Sequence, residues 1–218
     1  MSDAAPRDLP RLTLPLSPET ARALAVGEQY LLDGEITATA GFSTHQRMVA
    51  HLEQGERLPV DIRGGAFFHM GSRCRETEDG WIPDYVNPTT STRFDAFMPT
   101  IIRRLGLTSL GGKGGLGDAV VPVLAEAGCV YFAMPGGASP LLSRGAERRL
   151  ETGWDDLIEQ FRLSRFRLRA FGPVTVAIDA HGNSMFSDLR QRAEARMPEI
   201  LAGLKAARTR PGEPGTAG

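Results

Sequence analysis

The stretch between residues 107 and 134 most constrains the fold of this chain. A short apolar segment, LTSL, is followed by the glycine-rich GGKGGLGD, by a helical pattern from about Asp118 to Ala127, and by a second apolar segment, CVYFAM. Strand, glycine-rich loop, helix and strand in this order are typical of a βαβ unit. A second glycine turn, PGGA, follows. We therefore predict a mixed α/β fold.

The first half of the chain carries further helix and strand signals. SPETARALAVG predicts a short helix with Ser17 as its cap, and EQYLLDGEITATA predicts two strands around Asp33 and Gly34. The apolar face of GFSTHQRMVAHLEQG predicts a helix, with Ser43 and Gln46 at capping-box spacing. GGAFFHMGS predicts a strand, and RCRETEDGWIPDYV predicts a polar loop or hairpin.

The last third of the chain predicts another strand pair and a long helix. FRLRAF and VTVAIDAHGN have the composition of two strands. A helix from about Ser187 to Arg208 would place six residues on one side, which we expect to be buried: Leu189, Ala193, Met197, Ile200, Leu201 and Leu204.

The length of 218 residues indicates a single domain with a substantial core. Residues 1–12 and 209–218 are rich in proline, glycine and small polar residues, so we expect both segments to be disordered. The folded domain is then predicted to span residues 13–208.

The balance of charge excludes two classes of partner. The chain has 25 basic and 26 acidic residues and a net charge of −1, so it lacks the basic surface that binds nucleic acid or an anionic membrane. Its first residues do not resemble a signal peptide, and no apolar run approaches the roughly 20 residues that span a bilayer. We therefore expect a cytoplasmic protein.

Two cysteines, Cys74 and Cys129, are far apart in the sequence and lack CxxC spacing. This excludes a self-contained zinc or iron–sulfur site made of cysteines. We interpret both as small apolar residues.

NPTTSTRFD, residues 87–95, predicts an anion site at the start of a helix. The helix is indicated by an apolar stripe that begins at Phe94 and ends at Leu105, and its start is placed near Ser91 or Thr92. Arg93 in a first helical turn opposes the helix dipole, so a negative group should compensate it. Free N–H groups, hydroxyls and a guanidinium suit a carboxylate or phosphate. The alternative is a surface arginine paired with Asp95.

GGKGG, residues 111–115, is a second candidate anion site. Glycines such as Gly112 and Gly114 leave backbone N–H groups accessible, and Lys113 adds a positive charge. The spacing matches neither of the common nucleotide-binding glycine motifs. The alternative is a flexible turn.

Two histidine-containing segments also leave alternatives open. His45 falls in the first turn of its predicted helix, where the dipole favours the neutral imidazole, a hydrogen-bond donor or acceptor. The alternative is a surface histidine with no role. DAHGN, residues 179–183, is interpreted as a turn with a satisfied hydrogen-bond network rather than as a site.

Taken together, these segments resemble the C-terminal domain of class I fumarate hydratases and the β subunit of L(+)-tartrate dehydratase. The resemblance extends from LPLSPE to IDAHGN and rests on four motifs in order: NPTTSTRFD, GGKGG, PGGAS and FGPVTVAIDAHGN. It implies a swivelling β/β/α domain that pairs with a cluster-bearing α-type subunit in a hetero-oligomer. It also implies that a [4Fe–4S] cluster, held by that partner and not by this chain, acts as a Lewis acid on a small hydroxy-acid substrate.

The resemblance implies a role for each matching residue. Thr89 would be the base that removes the C–H proton, while Thr90 and Ser91 would shape the anion pocket. Arg93 and Lys113 would stabilise the negative charge that develops during the reaction. Gly112 and Gly114 would bind substrate through the glycine loop.

His45 would hydrogen-bond the substrate, and the residues just before it mark the main departure from the family. The family's Arg-Asp pair is replaced here by Gly41 and Phe42. Because a substrate-binding arginine is lost, we expect a substrate with an apolar or uncharged end instead of fumarate.

We interpret the chain as the β subunit of an iron–sulfur hydro-lyase that adds or eliminates water on a hydroxy acid. The alternative is a non-catalytic relative that binds a small carboxylate or a partner protein. Retention of Thr89, Arg93 and Lys113 favours the enzyme, and loss of the Arg-Asp pair favours the alternative.

Overall fold

The computed structural model describes residues 9–209. The described part of the chain contains eight strands: β1 (Arg11–Leu14), β2 (Gln29–Thr39), β3 (Ala66–Thr77), β4 (Gly80–Pro88), β5 (Ser109–Gly112), β6 (Val130–Ala133), β7 (Ala146–Gly153) and β8 (Leu163–Ile178). It also contains six helices: α1 (Pro18–Ala23), α2 (Phe42–Gln54), α3 (Met98–Leu105), α4 (Val121–Ala127), α5 (Ser139–Ser143) and α6 (Met185–Thr209). The predicted mixed α/β class is confirmed.

All eight strands belong to one sheet, in the order β1-β2-β3-β4-β7-β8-β6-β5. Two additional pairings, β2 with β8 and β3 with β5, close a ring through β2, β3, β5, β6 and β8. Within that ring β2, β3, β5 and β6 are mutually parallel, and β8 runs antiparallel to its two neighbours. The loops that follow β2, β5 and β6 therefore leave the sheet at the same edge, where ligands commonly bind in such sheets.

The predicted βαβ unit is confirmed. β5 and β6 pair in parallel from Ser109 opposite Val130 to Gly112 opposite Ala133, and α4 connects them. α4 begins at Val121, three residues later than expected, and ends at Gly128 in a left-handed conformation. The unit thus presents the glycine-rich loop at the carboxyl end of β5.

The two predicted strand pairs are each a single long strand. β2 runs through Asp33 and Gly34 without a turn, and its pairing with β8 shifts register on both sides of Leu32. β-bulges of this kind absorb residues that would otherwise favour a hairpin. β8 likewise continues from Leu163 to Ile178 in one strand. The hairpin formed by β3 and β4 was among the expected alternatives and is confirmed.

Two predicted helix starts are wrong. α2 begins at Phe42 with Gly41 as its N-cap, so Ser43 lies inside the helix and cannot form the capping box. The segment after Thr90 forms a 3₁₀ turn, Ser91–Phe94, and α3 starts only at Met98. Pro99 explains the delay, because it has no N–H group to donate to the carbonyl of the residue four positions earlier.

The core inside the sheet is apolar and aromatic. Phe68, Phe132, Phe166 and Phe171 are completely buried in one cluster with aliphatic residues from most strands. Cys74 belongs to that cluster, as expected for a small apolar residue. This core supports the parallel strands whose carboxyl ends carry the glycine-rich loop.

The ends of the domain differ from expectation in two respects. β1 begins at Arg11, inside the segment predicted to be disordered, whereas residues 1–8 and 210–218 lie outside the described residues. α6 forms a compact unit of its own. The residues of its apolar stripe are exposed, because the exposed fraction lies between 47% and 62% for Leu189, Met197, Ile200, Leu201 and Leu204. The expected burial of this stripe is therefore wrong. Among residues 9–209, no helix is long and apolar enough to cross a membrane.

Candidate functional site

Backbone hydrogen bonds join the PTTS segment to the glycine-rich loop. Lys113 donates its N–H group to the carbonyl of Thr89 at 3.0 Å, and Ser91 donates to the carbonyl of Lys113 at 2.9 Å. Thr89 in turn donates to the carbonyl of His69 on β3 at 2.9 Å. Two motifs that are separate in the sequence therefore form one layer at the edge of the sheet.

A buried pair of hydroxyl groups connects this layer to β6. The Ser91 and Tyr131 hydroxyls lie 2.8 Å apart, and both residues are completely buried. Burial raises the pKa of the Tyr131 hydroxyl, so this group stays protonated. A β-carbon at Gly112 would overlap the Ser91 oxygen, which explains the glycine at that position. Ser91, predicted to shape the anion pocket, thus contacts Tyr131 within the fold.

Thr89 and Arg93 line one cavity of about 270 Å³. The other residues around it are Ala40, Gly71, Tyr85, Asn87, Gln160 and Phe161. Arg93 is exposed, with its guanidinium 5.2 Å from the centre of the Phe94 ring and 3.5 Å from the Ala40 carbonyl. This arrangement leaves the positive charge available to an anion in the cavity.

Asp95 is engaged elsewhere, so the alternative of an Arg93–Asp95 ion pair is not observed among the described residues. The Asp95 Oδ2 atom accepts a hydrogen bond from the Gly117 N–H group at 3.1 Å. Burial raises the pKa of this carboxyl group. Asp95 therefore anchors the far end of the glycine-rich loop.

The side chain of Lys113 lies beside the second glycine turn, PGGA. A β-carbon at Gly136 would lie 3.4 Å from the Lys113 Cδ atom and 3.6 Å from its Nζ atom. Gly114, next in the loop, has a φ of 76°, a conformation that favours glycine. Thr90 pairs with Lys113 in an isolated parallel β-bridge, and Thr90 is half-buried. Lys113 is thus joined to Thr89 through the backbone, while its ammonium group lies beside PGGA, outside the cavity lining.

His45 is completely buried. Its Nδ1–H group donates to the Gly41 carbonyl at 2.6 Å, so Nε2 carries the lone pair, and this atom has no hydrogen-bond partner among residues 9–209. The ring stacks on Phe94 with centroids 3.9 Å apart. Burial, together with the charge of Arg93, lowers the pKa of His45 to about 4. The imidazole is neutral as expected, but it does not line the cavity.

His69 is a neighbour of this site to which the sequence analysis assigned no role. Its ring lies 5.2 Å from that of His45 and 4.8 Å from that of Phe94. Neither ring nitrogen has a hydrogen-bond partner in the part of the chain that the structure describes. Burial lowers its pKa well below the ordinary value. The signal in the sequence was a polar residue within the apolar run FFHM. Tyr85 and Gln160 had no such signal, because only the fold brings them together.

The DAHGN segment forms the expected hydrogen-bonded turn. Asp179 Oδ1 accepts from the N–H groups of His181 and Asn183 at 2.9 and 3.0 Å, and Oδ2 accepts from the Asn183 amide at 2.8 Å. His181 Nε2 lies 2.9 Å from the carbonyl of Arg22. These groups satisfy one another, so the interpretation as a structural turn is confirmed.

Neither cysteine is suited to bind a metal. Burial raises the pKa of the Cys74 thiol to about 11 and that of Cys129 further. The thiolate, which is the metal-binding form, is therefore strongly disfavoured. Within residues 9–209, no group of three His, Cys, Asp or Glu side chains is placed to hold a metal ion.

The class of protein follows from the match to a known family. The profile of the family described as Fumarase C-terminus matches residues 7–189, and the chain belongs to this family. The resemblance noted from the four motifs is thereby confirmed. The match ends within α6, so most of that helix lies beyond it.

Individual relatives carry more specific names. L(+)-tartrate dehydratase subunit beta of Escherichia coli strain K12 is 33% identical over 195 residues, which cover 87% of this chain and 92% of that protein. A protein of Methanocaldococcus jannaschii provisionally named L(+)-tartrate dehydratase subunit beta is 28% identical, covering 85% of this chain and 95% of the relative. A protein of Geobacillus stearothermophilus provisionally named fumarate hydratase class I is 28% identical, and this chain covers 36% of it. The names denote hydro-lyases.

Proposed function

We propose that this chain is the β-type subunit of a hydro-lyase that adds water to, or eliminates it from, a small hydroxy acid. The observation that carries the proposal is the backbone connection of Lys113 to Thr89 and Ser91, which unites the two anion-binding motifs beside a cavity that also contains Arg93. The names of the relatives support the reaction class.

In this proposal Thr89 and Arg93 have different roles within the cavity. Arg93 binds the substrate carboxylate with its planar guanidinium. The deprotonated Thr89 oxygen takes the proton from the carbon beside that carboxylate, the electron pair forms the C=C bond, and hydroxide leaves from the adjacent carbon. The hydroxide then takes the proton from the Thr89 hydroxyl, which releases water and restores the deprotonated oxygen. Addition of water reverses these steps. The positive charge of Arg93 stabilises both the deprotonated hydroxyl and the charge that accumulates on the carboxylate.

The remaining predicted site residues have supporting roles in this proposal. Lys113 lies in the glycine-rich loop and adds positive charge near the substrate, and Gly112 and Gly114 give that loop its conformation. Thr90 and Ser91 hold the segment that carries Thr89. His45 stacks its neutral ring on Phe94 and so supports the turn that carries Arg93.

The cofactor is proposed to belong to a partner. The thiols of Cys74 and Cys129 do not fit an iron–sulfur cluster, because both are buried and protonated. The relatives named subunit beta support a second, α-type subunit, and we propose that this subunit holds a [4Fe–4S] cluster in a hetero-oligomer with this chain.

The test compares the isolated chain with its complex. Purified alone, the chain should contain no stoichiometric iron or sulfide and should not dehydrate hydroxy acids. Co-expressed with the α-type subunit, it should form a complex that contains both and that forms a C=C bond in a panel of hydroxy acids followed by NMR. Hydro-lyase activity with stoichiometric iron in the isolated chain would contradict this division of roles.

The same test examines the second candidate, a non-catalytic relative that binds a carboxylate. Gly41 and Phe42 favour this candidate, because they contribute no charge where the family has an Arg-Asp pair. Binding of carboxylates by the complex without turnover of any would support it.

A further inference from the structure

The two cations of the proposed site lie on separate segments. Arg93 belongs to the 3₁₀ turn Ser91–Phe94, and Lys113 lies in the glycine-rich loop after β5. Backbone hydrogen bonds join the two segments where Lys113 meets Thr89 and Ser91. Segments that are joined at one end can still separate at the other end, so the spacing of the two cations depends on a second attachment.

Asp95 makes this second attachment. It follows the turn directly, and its N–H group donates to the Thr92 carbonyl at 3.3 Å. Its Oδ2 atom accepts from the Gly117 N–H group at 3.1 Å, near the end of the glycine-rich loop. The turn and the loop therefore form a closed ring, with one contact at Lys113 and the other at Gly117.

Gly117 fits the carboxylate because it has no side chain. A β-carbon at this position would lie 2.5 Å from the Asp95 Oδ2 atom and 3.4 Å from its Cγ atom. The first distance is shorter than real contacts of a β-carbon, so an added methyl group would displace the carboxylate or the loop. Leu116 beside it is buried, with 3% of its surface exposed. The end of the loop is therefore packed and bonded at a defined place.

The middle of the loop has little structure of its own to fix its path. Gly114 and Gly115 have φ values of 76° and 74°, and two successive glycines can adopt many other conformations. The Gly115 N–H group bonds the Tyr131 hydroxyl, which pairs with Ser91 at the first contact of the ring. The hydrogen bond to Asp95 holds the loop at the other end of the turn.

We propose that Asp95 is a positioning residue, which fixes the spacing of Arg93 and Lys113 by closing the ring between the turn and the loop. Both cations act on the same substrate in the proposed reaction, so their spacing must match its charges. A misplacement of about 1 Å can reduce a rate by about 10²-fold. This inference rests on the proposed hydro-lyase function, because it concerns the geometry of the same site.

The experiment measures kcat/KM of the co-expressed complex for the hydroxy acid that it converts fastest. Asp95→Ala removes the attachment, so kcat/KM should fall by about 10- to 100-fold. Gly117→Ala breaks the same hydrogen bond from the loop side and should reproduce this loss. Asp95→Asn keeps an acceptor oxygen for the Gly117 N–H group, so kcat/KM should stay within about threefold of the wild-type value.

The matched control is Asp33→Ala. Asp33 Oδ1 also accepts from a backbone N–H group, that of Ala170 at 2.9 Å, but it lies on β2 outside the ring. The control variant should lose stability and keep the wild-type kcat/KM. It therefore separates the loss of one carboxylate–backbone bond from the loss of positioning.

Two further measurements distinguish positioning from a merely structural role. Lys113→Ala removes one of the two cations, so adding Asp95→Ala to that variant should cost at most about threefold more. Hydrogen exchange of the Gly117 amide should become at least about tenfold faster in Asp95→Ala, while the amides of the sheet keep their wild-type rates. In Asp95→Asn the exchange of this amide should stay close to the wild-type rate.

Three results would overturn the inference and leave the hydro-lyase proposal intact. They are a wild-type kcat/KM in Asp95→Ala or Gly117→Ala, the full loss from Asp95→Ala in the Lys113→Ala background, and an equal loss in Asp95→Asn and Asp95→Ala. A wild-type complex that converts no hydroxy acid would overturn the hydro-lyase proposal and this inference with it.

Discussion

Lys113 donates its backbone N–H group to the carbonyl oxygen of Thr89 at 3.0 Å and accepts from the Ser91 N–H group at 2.9 Å. These bonds use the backbone alone, so they do not depend on the side chains of Thr89 and Lys113. Substitutions of those two side chains therefore test chemistry with little effect on folding.

Thr89→Val should separate catalysis from structure. The variant keeps the backbone bonds to His69 and Lys113, so the free energy of unfolding should change by about 0.5 kcal/mol or less. If the Thr89 oxygen is the base, kcat in the complex should fall by about 10²- to 10⁴-fold. Exchange of the substrate C–H proton with deuterated solvent should be lost in parallel.

The matched control for this prediction is Thr92→Val, an exposed threonine of the same motif that does not line the cavity. It should retain wild-type kcat. A Thr89→Val complex that folds, assembles and turns over at the wild-type rate would remove Thr89 from the mechanism.

Arg93→Lys should weaken substrate binding while preserving the charge. A lysine cannot form the two parallel hydrogen bonds that a guanidinium makes with a carboxylate. We expect kcat/KM to fall by about 10- to 100-fold, since a hydrogen bond to a charged group is worth roughly 1.5–3 kcal/mol. Arg104→Lys, at an exposed position on α3, is the control. Equal kcat/KM values in the two variants would show that Arg93 does not bind the carboxylate.

Tyr131→Phe should destabilise the domain through Ser91. Removing the phenolic oxygen leaves the buried Ser91 hydroxyl without its 2.8 Å partner, at a cost of about 1–3 kcal/mol in urea unfolding. The control is Tyr30→Phe, whose hydroxyl bonds Glu28 at the surface and should cost less. In a double-mutant cycle, Ser91→Ala combined with Tyr131→Phe should cost less than the sum of the two single changes. Strict additivity would refute the coupling.

Acid should destabilise the domain through the buried pair His45 and His69. The unfolded chain takes up protons on both rings as the pH falls below about 6.5. In the folded chain, burial lowers the pKa of His45 to about 4 and lowers the pKa of His69 well below its ordinary value. Protons therefore favour the unfolded state in this window, so stability is greatest above pH 6.5 and declines toward pH 4.

Urea unfolding at a series of pH values measures this effect. The double variant His45→Phe/His69→Phe should lose stability less steeply between those pH values than the wild type, because phenylalanine binds no proton. Parallel curves for the two proteins would contradict the assignment.

Local patterns accounted for part of this structure and missed another part. The βαβ unit around GGKGG and the DAHGN turn were predictable, because each is specified by neighbouring residues. The helix start near Ser91 was not, since Pro99 moved it to Met98 and left Arg93 in a 3₁₀ turn. Asp33 and Gly34 favoured a turn locally, but pairing of β2 with β8 absorbed them in a continuous strand.

The sequence by itself determined the mixed α/β class, the family and the motif residues Thr89, Arg93 and Lys113, because these properties are encoded in short runs of residues. Only the tertiary structure decided that Lys113 is bonded to Thr89, that His45 is buried instead of lining the cavity, and that Gln160 forms a hydrogen bond with Tyr85. These relationships arise from strand pairing and packing between segments far apart in the chain. No local pattern carries that information, since each segment could satisfy its own hydrogen bonds and burial in many other arrangements.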